Sequence, residues 1–373
     1  MKRIKTVISS LALAAALMPG LALADDITLG MVIGTTGPFA GGEASLIHGT
    51  QMAVDEINEA GGINGDKLVL VIEDTGGEQT GAINAFNRIV SSDPVAIMDT
   101  TISGFVLSQV GMIEDEGIPT FTGAASPQLS PKEKGTEALF RIRTSDTQVA
   151  TGAARFVTEN LGLTKIGILR QNSEYGNGWI RMIDATLEAK GLKPVAVESF
   201  EGIDRDMTAQ ILKLKDAGAE VMMLIGDPPN QLVMVQQVRQ LGFAGPVIVS
   251  NAGVLPTTVA GYAPGVADGV YGTVDSLPGA DPDKAEWADR YRAAFSIEPD
   301  YGAAEYYDGV KMLAEAIAKV GTDREALVAE LRSIDGYKGI GTTYSFVDGG
   351  DGGTSVSIVQ IEGGALKLVT GVE

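Results

Sequence analysis

From Ile27 onward, short runs of apolar residues alternate with longer stretches in which apolar positions recur every three or four residues. Runs of the first kind suit strands buried on both faces, and stretches of the second kind suit helices buried along one side. Their alternation predicts βαβ units around parallel sheets, an α/β fold. Ile27 to Ile33 reads as a strand; Leu46, Gly49, Ala53, Ile57 and Ala60 then mark one helical face, and Gly61-Gly62 a stop. Strands start again near Lys67, Val95 and Pro119, with helices between them carrying Ile83, Phe86 and Val90, then Val106, Val110 and Ile113. These elements make one α/β lobe.

A second series begins at Lys165, with strands near Lys193, Val221 and Pro246 and helices around Trp179 to Leu187 and Leu232 to Leu241. Its later strands start at nearly the same intervals as those of the first series, so two similar lobes are expected. Helices over Asp283 to Phe295, Glu305 to Val320 and Asp323 to Leu331, then strands near Tyr344 and Ser355, form a remainder that must return to cover both lobes. The expected division is 1–24 as a leader, 25–144 with 274–345 as lobe 1, and 145–273 with 346–373 as lobe 2. Open parallel sheets bind ligands beyond the carboxyl ends of their strands. Two such lobes face to face make a cleft.

The leader prediction rests on Met1-Lys2-Arg3-Ile4-Lys5, an apolar run from Val7 to Leu17, and Ala22-Leu23-Ala24 before Asp25. A cationic start, a short apolar stretch and a small-residue cleavage site are a secretory signal, and the run is too short to span a bilayer. The 373 residues carry 48 Asp and Glu against 28 Lys and Arg, a formal charge of −20 that repels nucleic acid and anionic lipid. Losing Lys2, Arg3 and Lys5 makes the mature chain more acidic still. Export to the periplasm as a soluble protein, without direct membrane insertion, is the expectation.

Chemistry narrows by what is missing from the sequence. With no Cys there is no lipid-anchoring cysteine, disulfide, iron–sulfur cluster or redox pair. The one His, His48, sits on the first predicted helix, where a partly exposed helical residue is expected rather than a triad base. Neither GxxxxGK[ST] nor GxGxxG occurs, so no nucleotide cradle is indicated. Glu114-Asp115-Glu116 reads as a solvated helix end, and Asp348-Gly349-Gly350-Asp351-Gly352-Gly353 as a turn lacking a calcium loop's ligand spacing. No metal, cofactor or catalytic residue is expected, although a hydrolase using carboxylates alone remains a competing class.

Gly34-Thr35-Thr36-Gly37-Pro38 and Val54-Asp55-Glu56-Ile57-Asn58-Glu59-Ala60-Gly61-Gly62-Ile63-Asn64-Gly65 closely resemble the type I periplasmic binding proteins, nearest the branched-chain amino acid (leucine/isoleucine/valine) subgroup. Glu114 to Pro119, Ala124-Ala125-Ser126-Pro127, Tyr175-Gly176-Asn177-Gly178 and Tyr307-Asp308-Gly309 extend the resemblance over the mature chain. The resemblance implies two Rossmann-like lobes joined by a multi-strand hinge, and a receptor, not an enzyme. Such a receptor closes on a small molecule and delivers it to an inner-membrane ABC permease, with a monomer as the family expectation. The family's carboxylate site maps onto Ser103, Ala124, Ser126 and Tyr175. Physics gives Ser103-Gly104 the same role, since a hydroxyl and free N–H groups at a helix start favour an anion, while small residues around Ala124 and Ala125 let backbone approach it.

Two departures bear on the ligand. The family's amino-acid receptors hold the ammonium with a Glu where this chain has Ala252, and they carry an aromatic where it has Asp227. Asp227 is therefore either the ammonium partner or simply the cap of a helix starting at Pro228-Pro229, and one residue can do both. Gly42 stands where the family often has a bulky wall, which predicts a roomier pocket. Arg170 could meet a second ligand carboxylate, although a surface position is the simpler expectation. The ligand is then an amino acid or related small carboxylate; the alternatives are a non-amino ligand such as an aromatic or aliphatic acid, amide or urea-like molecule, or a sensory input role.

Overall fold

The computed structural model describes residues 26–279, 281–349 and 352–371. The leader predicted over 1–24, and Gly350 and Asp351 of the glycine-rich turn, lie outside them. The first half runs β1 (Asp26–Ile33), α1 (Ala40–Glu59), β2 (Lys67–Asp74), α2 (Gln79–Val90), β3 (Ala96–Asp99), α3 (Ser103–Glu116), β4 (Thr120–Thr122) and β5 (Leu139–Arg141). These strands form one parallel sheet in the order β2-β1-β3-β4-β5. Along β1, Leu29, Met31 and Ile33 face one core while Val32 faces another, so helices cover both sides and the strand reads as an unbroken apolar run.

The chain continues through α4 (Asp146–Arg155), β6 (Ile166–Gln171), α5 (Glu174–Glu188), β7 (Ala196–Phe200), α6 (Thr208–Asp216), β8 (Val221–Ile225), α7 (Pro228–Gln240), β9 (Val247–Val249), α8 (Pro256–Gly261) and β10 (Tyr271–Val274). Leu169, Met222, Leu224 and Val249 pack toward α6 and α7, whereas Ile168, Val221, Met223 and Ile225 pack toward α4 and α5. After α9 (Ala285–Phe295), α10 (Tyr301–Val320) and α11 (Arg324–Arg332) come β11 (Asp335–Lys338), β12 (Thr343–Ser345), β13 (Gly352–Gly353), β14 (Ser357–Glu362) and β15 (Ala365–Gly371). The last two extend the second sheet antiparallel, giving β15-β14-β10-β9-β8-β6-β7.

The remainder divides between the lobes. Trp287, Tyr291, Tyr306, Leu313 and Leu327 join the core of the first sheet, so α9 to α11 belong to lobe 1 although they follow all of the parallel strands of lobe 2. Helices α1 and α10 pack so closely that a Cβ added to Gly49 would stand 2.0 Å from the Ala303 carbonyl oxygen. The chain passes between lobes three times, near Thr144, near Asp275 and between Gly353 and Val356. One buried ion pair joins the first two passages: Arg143 Nε donates to Asp275 Oδ2 at 3.0 Å and Nη2 to Oδ1 at 3.3 Å. The third is bound to the first through Thr144 Oγ1, which donates to the Ser355 carbonyl at 2.6 Å.

Candidate functional site

Between the lobes lies a cavity of about 500 Å3, within the usual ~300–1,000 Å3 of small-molecule sites. On the lobe 1 side, β3 ends at Asp99 and α3 begins at Ser103 after Ile102, an extended residue whose side chain offers no cap. Among the described residues the Ser103 and Gly104 N–H groups have no acceptor, and a Cβ on Gly104 would meet open space. A helix start is thus left uncapped toward the cleft, with partial positive charge available to an anion. Ser103 Oγ accepts from the Ser126 N–H at 3.2 Å, which keeps its own proton free for a ligand.

Ala124, Ala125 and Ser126, expected at the ligand, do not line the cavity. They are fully buried behind the Ser103 loop. Their carbonyls serve structure: Arg141 Nη1 and Nη2 donate to Ala124 O and Ser126 O at 2.7 and 2.9 Å, and the Asp146 N–H donates to Ala125 O at 2.9 Å. The stretch buttresses the Ser103 loop, with the Ser126 N–H donating to Ser103 Oγ.

Lobe 2 supplies Tyr175, Asp227 and Ala252 to the opposite wall. Ser173 caps α5 by accepting from the Gly176 N–H at 3.2 Å, so Tyr175 sits in the first turn with its ring edge toward Trp179, 6.1 Å between centroids. Asp227 occupies the N-cap position of α7, yet its side chain makes no capping bond. Instead it pairs reciprocally with Gln171: Gln171 Nε2 donates to Asp227 Oδ2 at 2.7 Å, and the Asp227 N–H donates to Gln171 Oε1 at 2.9 Å. Burial raises the Asp227 carboxyl above its ordinary range, and the Gln171 bond opposes the shift.

Gly42 lines the cavity, but its effect is on closure more than on room. A Cβ there would lie 3.5 Å from Pro228 Cγ and 3.9 Å from Leu255 Cδ1, both on the other lobe. A second contact across the cleft is the Gln128 Nε2 bond to Glu174 Oε2 at 2.6 Å. The lobes are therefore seen closed against each other. Arg170 is not in the cleft; its Nη1 donates to Asn177 Oδ1 at 2.8 Å. His48 stacks on Phe295 with centroids 4.3 Å apart, away from the site.

Five further charged residues of the cavity escaped the sequence reading: Glu43, Arg143, Glu174, Asp300 and Glu305. Glu43 accepts from the N–H groups of Gly34 at 2.7 Å and Thr101 at 3.1 Å and from the Thr100 hydroxyl, so it pins two strand-end loops of lobe 1. Asp300 caps α10 through the Ala303 N–H at 2.7 Å. Arg143 lies 5.2 Å from the Tyr301 ring centre, its charge matched by Asp275. Burial raises the carboxyls of Glu43, Asp300 and Glu305. Signals for some existed: Asp300 sits one residue ahead of an apolar periodic run, a cap pattern, whereas Arg143 and Glu305 lie in no recognisable motif.

The cleft thus sets the uncapped α3 start beside Glu43 on lobe 1 and opposite Tyr175 and Asp227 on lobe 2.

Comparison with known proteins identifies the fold. A periplasmic binding protein family model matches residues 26–365. The Leu/Ile/Val-binding protein BraC3 of Rhizobium johnstonii is 30% identical over 366 residues, covering 96% of this chain and 98% of its own. The solved leucine-binding protein LivK of Thermotoga maritima superposes with a TM-score of 0.84 at 22% identity, over 93% of this chain and 98% of that one. LivJ of Streptococcus pneumoniae, solved with isoleucine, gives 0.83 at 23% identity, over 92% and 100%. The two wound sheets are thus those of a known fold, and the chain belongs to the periplasmic binding protein family.

Proposed function

We propose that this protein is the periplasmic receptor of an ABC importer, capturing an amino acid or related small carboxylate between its lobes and handing it to an inner-membrane permease. The observation that carries the reading is the uncapped start of α3 at Ser103 and Gly104 facing Tyr175 and Asp227 across a closed cleft. The ligand carboxylate sits on the α3 N–H groups and the Ser103 hydroxyl, and Asp227 takes the ammonium that Ala252 cannot. Residues 25–144 with 274–345 and 145–273 with 346–373 act as the two closing bodies, and the mature protein works as a secreted monomer after loss of its leader. Among the described residues no helix is long and apolar enough to cross a membrane.

A thermal-shift panel on the mature protein, unfolded and refolded to strip bound ligand, tests this. A ligand present at 100 times its dissociation constant adds about 2.7 kcal/mol of stability. Amino acids that raise the midpoint, with the effect lost in Asp227→Asn, uphold the reading. Ala252 favours a second one, a ligand without an amine. Stabilisation by organic acids or amides alone selects it.

A further inference from the structure

Asp227 stands at the N-cap position of α7 with little there to cap. A capping side chain accepts from the second or third N–H of its helix. Here the first two residues are Pro228 and Pro229, which have none, and the third, Asn230, already donates to the Asp227 carbonyl at 2.9 Å. The double proline completes the helix start with backbone alone and leaves the carboxylate for other work. No cation among the described residues offsets its burial; the one opposing influence is the Gln171 amide.

Gln171 is held so as to fix that carboxylate in one place. It ends β6 and is 7% exposed. Its backbone is pinned on two sides, since the Asn172 N–H donates to Phe200 O at 2.8 Å and the Ser173 N–H to Gln171 O at 3.0 Å. With the Asp227 N–H on Oε1, Nε2 is turned to Oδ2, so the reciprocal pair admits one orientation of the amide. A side chain of this length that lacks either the donor or the acceptor cannot make both bonds. Gly202 leaves the amide its room, because a Cβ there would stand 3.1 Å from Gln171 Nε2, and Asn230 Nδ2 ties that loop down through Gly202 O at 3.1 Å. Oδ2 is thus taken, and Oδ1 of a residue that lines the cavity accepts no hydrogen bond among the described residues.

We propose that Gln171 is a positioning residue that sets the receptor's selectivity for amines. By gripping the Asp227 backbone and carboxylate together, it holds that carboxylate at the cavity wall with Oδ1 left for a ligand ammonium. The margin by which an amino acid is bound over the same acid without its amine then depends on an amide that does not touch the ammonium itself. The inference rests on the amino-acid reading above and adds the group that orients its ammonium contact.

Isothermal titration calorimetry of the ligand-stripped protein tests it, with the standard L-amino acids and then with the deaminated acid of the tightest binder. The proteins are wild type, Gln171→Met, which keeps the length of the side chain, Asp227→Asn and the double variant. Wild type binds the amino acid roughly tenfold or more tightly than the deaminated acid. Gln171→Met lowers the amino-acid affinity about tenfold, spares the deaminated acid, and costs nothing further in the Asp227→Asn background. An equal loss for both molecules, or a loss that recurs in full beside Asp227→Asn, marks a merely structural role and overturns the inference. So does undiminished amino-acid binding by Gln171→Met or by Asp227→Asn; in each case the receptor still binds amino acids. No binding of any standard amino acid by wild type overturns both. If Gln171→Met fails to fold, Gly202→Ala presses on the amide without removing it and narrows the preference for the amine; an unchanged preference overturns the inference.

Discussion

Asp146 opens α4 immediately after the first passage between the lobes and is fully buried. Its Oδ1 accepts from Trp179 Nε1 at 2.9 Å, while Oδ2 has no partner, so the carboxyl can take up a proton without breaking a bond. Burial pushes its pKa from 3.8 to about 7, against the pull of the Arg143 and Arg141 charges and the Trp179 bond. Between pH ~4 and ~7 the native state then holds a proton that the unfolded chain has released, so this group makes stability fall as pH rises and level off above pH ~7. At ~1.36 kcal/mol for each pH unit of that window, the loss amounts to about 4 kcal/mol. Asp146→Asn replaces the carboxyl with a permanently neutral amide that keeps the Trp179 acceptor. In urea unfolding followed by circular dichroism, the variant should match wild type within ~1 kcal/mol at pH 4.5 and exceed it by up to about 4 kcal/mol at pH 8. Trp179 is one of only two tryptophans, so wild-type fluorescence should also titrate near neutrality and the variant's should not. A variant destabilised equally at both pH values would refute the reasoning, because the carboxylate would then be a net stabilising group.

Gly42→Trp fills the place where Pro228 and Leu255 of the facing lobe approach; overpacking of ~1–3 kcal/mol lowers affinity by about five- to 150-fold, and small-angle scattering should show no compaction on ligand addition. Wild-type affinity in that variant would mean the lobes close elsewhere. Asp275→Asn strands the Arg143 guanidinium and should cost ~3–5 kcal/mol in urea unfolding, most of it recovered when Arg143→Met is added. A double variant no more stable than the single one contradicts this account.

The parallel strands were legible because burial on both faces leaves unbroken apolar runs, as at Val221 to Ile225, that no turn residue interrupts. Short β5 and β10, and helix α4, were missed: Leu139 to Arg141 is only three residues long, and Ala150, Ala153 and Ala154 give weak contrast between helix faces. At the site, the α3 start, Tyr175, Asp227 and Ala252 follow strand ends, where topology alone predicts function. Glu305 and Arg143 reach the cleft only through tertiary folding, α10 returning across the chain and Arg143 leading into a passage between lobes, and no local spacing records that. Ala124 to Ser126 lies behind the Ser103 loop, a placement that the smallness of its side chains alone does not reveal.

The embrace of α1 by α10 has a consequence for the birth of the molecule. Gly49 and Ala303 touch, yet some 250 residues separate them along the chain, so the first core cannot close until synthesis has reached about four fifths of the sequence. The second sheet likewise waits for β14 and β15, almost at the carboxyl end. Neither half is self-sufficient while the chain emerges, so neither lobe completes its core until nearly all of the polypeptide has been made.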